Sequence, residues 1–194
     1  MQTLFRPAIS LFLILSVLTG ILYPLSMTAL GKIFFNQQAT GSLLQYEGKV
    51  VGSALIGQAF EKPYYFWSRP SATAEKPYNA TASGGSNLAP SNPEWIETVQ
   101  ERRQKIKDSH PGQSSPVPYD LVTASASGLD PHISLAAAQY QITRVAQHRH
   151  TSVETIKTLV DAQTELPTWG FLGETRVNVL KLNLALDEAV PLLP

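Results

Sequence analysis

Between Arg6 and Lys32 the chain carries no charge, and residues 8–31 read AISLFLILSVLTGILYPLSMTALG. A helix through the 25 residues from Pro7 to Gly31 is about 37 Å long at about 1.5 Å per residue. That exceeds the roughly 30 Å hydrocarbon core of a bilayer and leaves room for tilt. A helix also gives every backbone group an internal partner, which lipid demands. Pro24 has no N–H to donate, so a kink is expected near the far end of the span. Tyr23 lies beside it, where an interfacial aromatic suits.

The same run has a competing reading as a cleaved leader, with one basic residue, an apolar stretch and small residues around Ser26 to Gly31. It is longer than the apolar part of a usual leader, and no A-x-A site closes it. Both features favour a retained anchor. Flanking charge says little about orientation, because Arg6 and the amino terminus on one side face Lys32 and Lys49 on the other. A short leading tail before a large trailing domain favours a cytoplasmic tail and an outer domain.

The expected organisation is α+β: a single transmembrane helix within residues 1–35, then one compact mixed α/β extracytoplasmic domain over residues 36–194. A domain of that length holds a sizeable core. Setting aside Arg6 and Lys32, 13 basic residues face 15 acidic ones. No basic surplus is present to neutralise phosphates, so nucleic acid is not an expected partner. Cysteine is absent, which removes disulfides, thiol nucleophiles and thiolate metal sites together.

Residues 47–71 read as strands, first in short apolar runs around Val50 and Leu55, then in the aromatic cluster Tyr64, Tyr65, Phe66 and Trp67. That cluster is expected to be core, with a partner-docking surface as the second reading. Residues 71–93 are turn-rich. A helix then starts at Asn92 as N-cap with Pro93 at N1, and Arg102, Arg103, Lys105 and Lys107 load its other end. Residues 109–118 form a loop. Ser134 is placed to cap a helix carrying Leu135, Ala138, Ile142 and Val145 on one face. A second helix is expected after His150, striped by Val153, Ile156 and Val160. Residues 177–187 fit both periods; Gly173, Val177 and Val179 favour a short strand followed by a helix.

Candidate chemistry is sparse. His148 and His150 sit near a helix end, where charge complementarity explains them without a metal. Asp130, His132 and Ser134 are too close in sequence for a triad and read as loop capping. Ser125 and Ser127 lack a G-x-S-x-G elbow. Neither catalytic nor metal-ligating residues are expected. The run Ser83-Gly84-Gly85-Ser86-Asn87 is a tight turn or, alternatively, an anion-binding nest of backbone N–H groups. No P-loop or dinucleotide fingerprint occurs.

Several runs in order resemble one family. TGILYPL at 19–25, GSALIGQAF at 52–60, YFWSRPSATAEKPYNATASGGSNLAPSNP at 65–93, VPYDLVTASASGLDPHIS at 117–134, RVA at 144–146 and VNVLKLNLALD at 177–187 are similar to the C subunit of the Kdp potassium-transporting P-type ATPase. The resemblance implies a non-catalytic subunit of an ATP-driven potassium pump in the bacterial inner membrane. A separate P-type subunit then carries the phosphorylated aspartate and a channel-like subunit carries the ions, with this chain holding them together. It also implies a chaperone role raising the ATPase subunit's affinity for ATP, with no tightly bound cofactor and ATP reached through the complex. The position matching the family's proposed nucleotide contact is Gln141, and SGGSN is similar to an ATP-cassette signature. An outer domain and cytoplasmic ATP occupy different compartments, which opposes direct contact. In the anchor, Ser16, Gly20 and Ala29 are the small residues expected where helices pack closely. An anchored outer enzyme and a nucleotide-binding regulator are the competing functions.

Overall fold

A computed structural model describes residues 2–192. The chain divides into two compact units after Leu44, beyond the expected boundary at 35/36. The reason is local: after the anchor a short helix, α3 (Asn36–Ala39), continues the same unit, with Ala39 N–H bonding Phe35 O at 2.8 Å.

In the first unit, α1 (Gln2–Val17) and α2 (Tyr23–Phe34) are joined without a break by a π-helical turn, Leu18–Leu22. The apolar span runs Leu4–Phe34 with a mean hydropathy of 2.2 and no buried residues. Among the described residues it is the one helix long and apolar enough to cross a membrane. The expected disturbance lies one turn ahead of Pro24. With no N–H on Pro24 to bond Gly20 O, the ladder widens and Tyr23 N–H bonds Leu18 O instead.

In the second unit the caps expected at Asn92 and Ser134 form, and the structure adds one at Asn178. Asn92 Oδ1 accepts from Glu94 N–H at 2.9 Å and starts α4 (Pro93–Asp108). Ser134 Oγ accepts from Ala137 N–H at 3.0 Å and starts α5 (Leu135–His148). Ser152 caps α6 (Val153–Ala162), and Asn178 caps α7 (Val179–Ala189). Each such cap satisfies one of the helix's otherwise orphaned N–H groups.

The sheets are small. Strands β1 (Leu43–Tyr46) and β2 (Lys49–Ser53) pair as a two-stranded ribbon. Strands β3 (His132–Ser134), β4 (Thr164–Glu165) and β5 (Arg176–Asn178) form an antiparallel sheet in the order β3-β5-β4. Ile133 and Thr164 both register with Val177. The core gathers Val145, Ile156, Val160, Val177, Leu182 and Leu186 from this sheet and three helices, all fully buried. Each such side chain contributes about 1.5–3 kcal/mol by leaving water. Residues 177–187 are indeed a short strand followed by a helix.

The strand expectation fails over most of residues 47–71. Only Lys49–Ser53 is a strand there; the aromatic cluster begins in a turn, where Tyr65 N–H bonds Lys62 O at 3.1 Å, and continues as irregular backbone. Prolines at 63 and 70 deny ladder donors, and side-chain amides do the pairing that a neighbouring strand would have done.

Candidate functional site

The aromatic strap at residues 64–67 lies where the polar side chains of α5 and α7 converge. Phe66 donates its N–H to Asn183 Oδ1 at 2.9 Å and accepts from Asn183 Nδ2 at 3.0 Å. Trp67 N–H donates to Gln141 Oε1 at 2.7 Å, and Gln141 Nε2 returns a bond to Trp67 O at 3.2 Å. Each amide thus imitates one residue of a facing strand. Gln141 Nε2 also bonds Ala137 O, so its donor and acceptor atoms are all engaged, and the residue is wholly buried.

Two buried guanidiniums complete the clamp. Arg144 donates to Pro63 O, to Tyr65 O at 3.0 Å, to Gln141 Oε1 at 2.7 Å and to His110 Nε2 at 3.0 Å. It also stacks 4.5 Å over the Trp67 ring. Burial lowers its pKa to about 10, so it remains a cation at neutral pH. Arg149 bonds Tyr64 O and pairs with Asp187 at 2.6 Å. The Tyr65 hydroxyl donates to the same carboxylate at 2.8 Å. Burial, with that bond, pushes the Tyr65 pKa up to about 12. Phe66 is wholly buried, so the aromatic cluster is core at its centre.

His110 sits beside this clamp. Its Nδ1 faces Ile106 O at 2.7 Å while Nε2 accepts from Arg144, which defines the neutral Nδ1–H tautomer. Burial lowers its pKa below the usual 6.5; the Ile106 carbonyl opposes this, and Arg144 reinforces it. A lowered folded-state pKa means the unfolded chain binds more protons just below pH 6.5. Stability should therefore be complete above about 6.5 and fall as pH drops toward the lowered value. Denaturant titrations at several pH values should show this slope, and His110→Gln, which keeps a donor and an acceptor, should flatten it.

The remaining sequence candidates lie elsewhere. Ser83 Oγ and Gly84 N–H both donate to Ser127 O, at 3.1 and 2.9 Å, so one nest donor is already occupied. A Cβ on Gly85 would fall 3.0 Å from Ala126 O, and Gly128 has φ +67° with Gly84 O 2.8 Å from its would-be Cβ. These glycines let two Ser/Gly-rich segments lie side by side. Ser86 Oγ accepts from Leu88 N–H, and Asn87 turns the chain with φ 53°. Gln141 and SGGSN thus bond different neighbours. In the anchor, Ser16, Gly20 and Ala29 are all exposed.

Asp130 and His132 do come together. Asp130 Oδ1 accepts from His132 N–H at 3.0 Å and lies 3.2 Å from its Nδ1. His132 Nε2 lies 3.7 Å from Glu165. Burial pushes Asp130 up, but His132 and Arg69 outweigh it and hold the carboxyl below its usual range. Lys181 and Arg176, with His132, do the same for Glu165 against its burial. Ser134 Oγ meanwhile bonds Asp120 and caps α5, so it completes no nucleophile–base pair with His132. His148 Nδ1 lies 3.0 Å from Arg144 O, within its own helix. Among the described residues no cluster of three His, Asp or Glu side chains is placed to hold a metal ion.

Sequence reasoning missed Arg144, Arg149 and Asn183 as a unit. The available signal was polar residues breaking otherwise apolar helix faces.

Comparison with known proteins settles the family. The model of KdpC, the K+-transporting ATPase c chain, matches residues 5–188. The chain belongs to this family. The potassium-transporting ATPase KdpC subunit of Dechloromonas aromatica (strain RCB) is 54% identical over 187 residues, covering 96% of this chain and 98% of that protein. The KdpC subunit of Variovorax paradoxus (strain S110) is 56% identical over 187 residues, covering 96% and 97%. That of Burkholderia orbicola (strain MC0-3) is 56% identical over 189 residues, covering 97% and 98%. The resemblance read from the sequence motifs therefore holds, and KdpC membership makes the chain a subunit of a potassium-transporting ATPase.

Proposed function

We propose that this KdpC chain is a non-catalytic, single-pass assembly subunit of an ATP-driven potassium pump. Its tail lies in the cytoplasm of a bacterium and its domain outside the inner membrane. The anchor packs against the ion-conducting and P-type ATPase subunits within the bilayer. One observation supports the non-catalytic part of the reading: the clamp's polar side chains are taken up in holding the domain's own backbone and one another.

The chaperone role and any effect on ATP affinity fit best as indirect. Gln141 has no free amide atom to offer a nucleotide, so its influence passes through the strap it holds. Direct contact through SGGSN, with Gly84 N–H already bonded, has less support. ATP then belongs to the complex and not to this domain.

Gly20 provides the test. A Cβ there meets nothing within 4 Å in this chain, so Gly20→Leu leaves the subunit's own packing intact while crowding any helix that approaches. Co-purification of the other pump subunits should fall severalfold, with the domain's unfolding midpoint unchanged. Wild-type recovery of the complex would reject the packing role.

A further inference from the structure

Between the aromatic strap and α4 lies a pocket of about 230 Å³. Phe60, Trp67 and Ile106 give it an apolar wall. Arg69, Arg102 and Lys105 also line it, against one acidic residue, Glu61. Arg102 and Lys105 share a face of α4 because they stand three residues apart, and Ile106 adjoins them on that face. Arg69 is already paired with Asp130 at 3.3 Å. Arg102 is not. Its guanidinium bonds Val122 O at 3.3 Å, and among the described residues no carboxylate lies within ion-pair distance of it or of Lys105. Arg102 is half-buried, and that burial lowers its pKa against the opposing charge of Glu101. Lys105 Nζ lies 6.0 Å from the centre of the Trp67 ring. Arg144, stacked on the same ring, is a further buried cation with no carboxylate among its bonded partners. The chain thus gathers more positive charge around Trp67 than it neutralises.

We infer that this pocket binds a small organic monoanion: a carboxylate carried on one flat apolar ring, its charge met by Arg102 and Lys105 and its ring by Trp67 and Phe60. A guanidinium stripped of part of its hydration gains most from a carboxylate, which it can grip with two N–H groups at once. An inorganic anion would meet that need but leave the aromatic wall uncovered. A neutral ring would cover the wall and leave Arg102 without a counter-charge. Only a ligand with both parts matches both features, and apolar pockets with a few convergent polar groups are where such ligands bind. Size limits the ligand further. Sites for drug-sized molecules run roughly 300–1,000 Å³, so this smaller space suits a single ring. The site goes beyond the assembly reading and is independent of which side of the membrane holds the domain.

The test titrates benzoate into the full chain in an uncharged detergent, by calorimetry and by its effect on the unfolding midpoint. Saturable binding and a raised midpoint are expected, since a ligand held only by the folded chain stabilises it by mass action. Benzyl alcohol, which keeps the ring without the charge, and acetate or inorganic phosphate, which keep charge without the ring, should each bind at least tenfold more weakly. Arg102→Gln should weaken benzoate binding about tenfold, the loss of one charge-assisted bond. Lys105→Gln, at an exposed position where folding is unaffected, should weaken it severalfold and keeps the test open if the first variant unfolds. No saturable binding of benzoate, equal binding of benzyl alcohol or of phosphate, or undiminished binding by both variants would overturn the inference. So would ATP binding that depends on Arg102 and exceeds that of benzoate, because the pocket would then belong to a nucleotide.

Discussion

Gln141→Ala is expected to destabilise the domain by about 3 kcal/mol. The substitution removes an amide that joins Trp67 N–H, Trp67 O, Ala137 O and Arg144. Net hydrogen-bond contributions are about 1 kcal/mol each, and buried partners left without replacement cost about 1–3 kcal/mol. The cavity adds to this, because Gln141 is wholly buried. Denaturant unfolding of the full chain in detergent, followed by Trp67 and its neighbours in near-ultraviolet circular dichroism, measures the loss. Gln141→Glu should be milder, since it keeps the Trp67 N–H acceptor and gives Arg144 a counter-charge. A surface residue reserved for nucleotide would behave otherwise: its removal would leave stability untouched.

Arg144→Leu should cost about 4 kcal/mol, and here two effects oppose. Arg144 is a buried cation with no carboxylate among its bonded partners, so deleting it relieves a desolvation penalty. The deletion also strands Pro63 O, Tyr65 O and His110 Nε2 without donors, at about 1–3 kcal/mol each, and removes the stacking on Trp67. Several orphaned acceptors together outweigh the relief of one partly compensated charge. Because Arg144 and Gln141 share a bond, the double variant should fall short of the sum by about 1–2 kcal/mol. Unfolding midpoints of the four proteins in the cycle check both statements, and a neutral Arg144→Leu would show that the strap is held by apolar packing alone.

The elements legible in the sequence were those with local causes. Asn92 and Ser134 announced helices because a cap depends only on residues a turn away. The long apolar first helix was legible for the same reason, through length and the absence of charge. The strap was not, because its pairing is set over long sequence separations. Trp67 meets Gln141 and Phe66 meets Asn183 only after the helices have packed. Aromatic, β-favouring residues therefore suggested a strand where side chains supply the missing neighbour. Strand β4, two residues long, left no periodic trace at all. Gln141 was found through resemblance, and its burial became visible only with the fold. Arg144, Arg149 and Asn183 required the three-dimensional arrangement, since a lone Arg on a helix is ordinarily read as solvated.

The side of the membrane occupied by the domain bears on every functional statement above. The chain has no cysteine, so Ser114→Cys, at an exposed loop position, creates a single thiol in this subunit. Spheroplasts carrying the assembled pump would be treated with a membrane-impermeant maleimide before and after lysis. Full labelling of intact spheroplasts, on a chain that retains its first helix, is the predicted result. Labelling only after lysis would place the domain beside cytoplasmic ATP and contradict the account.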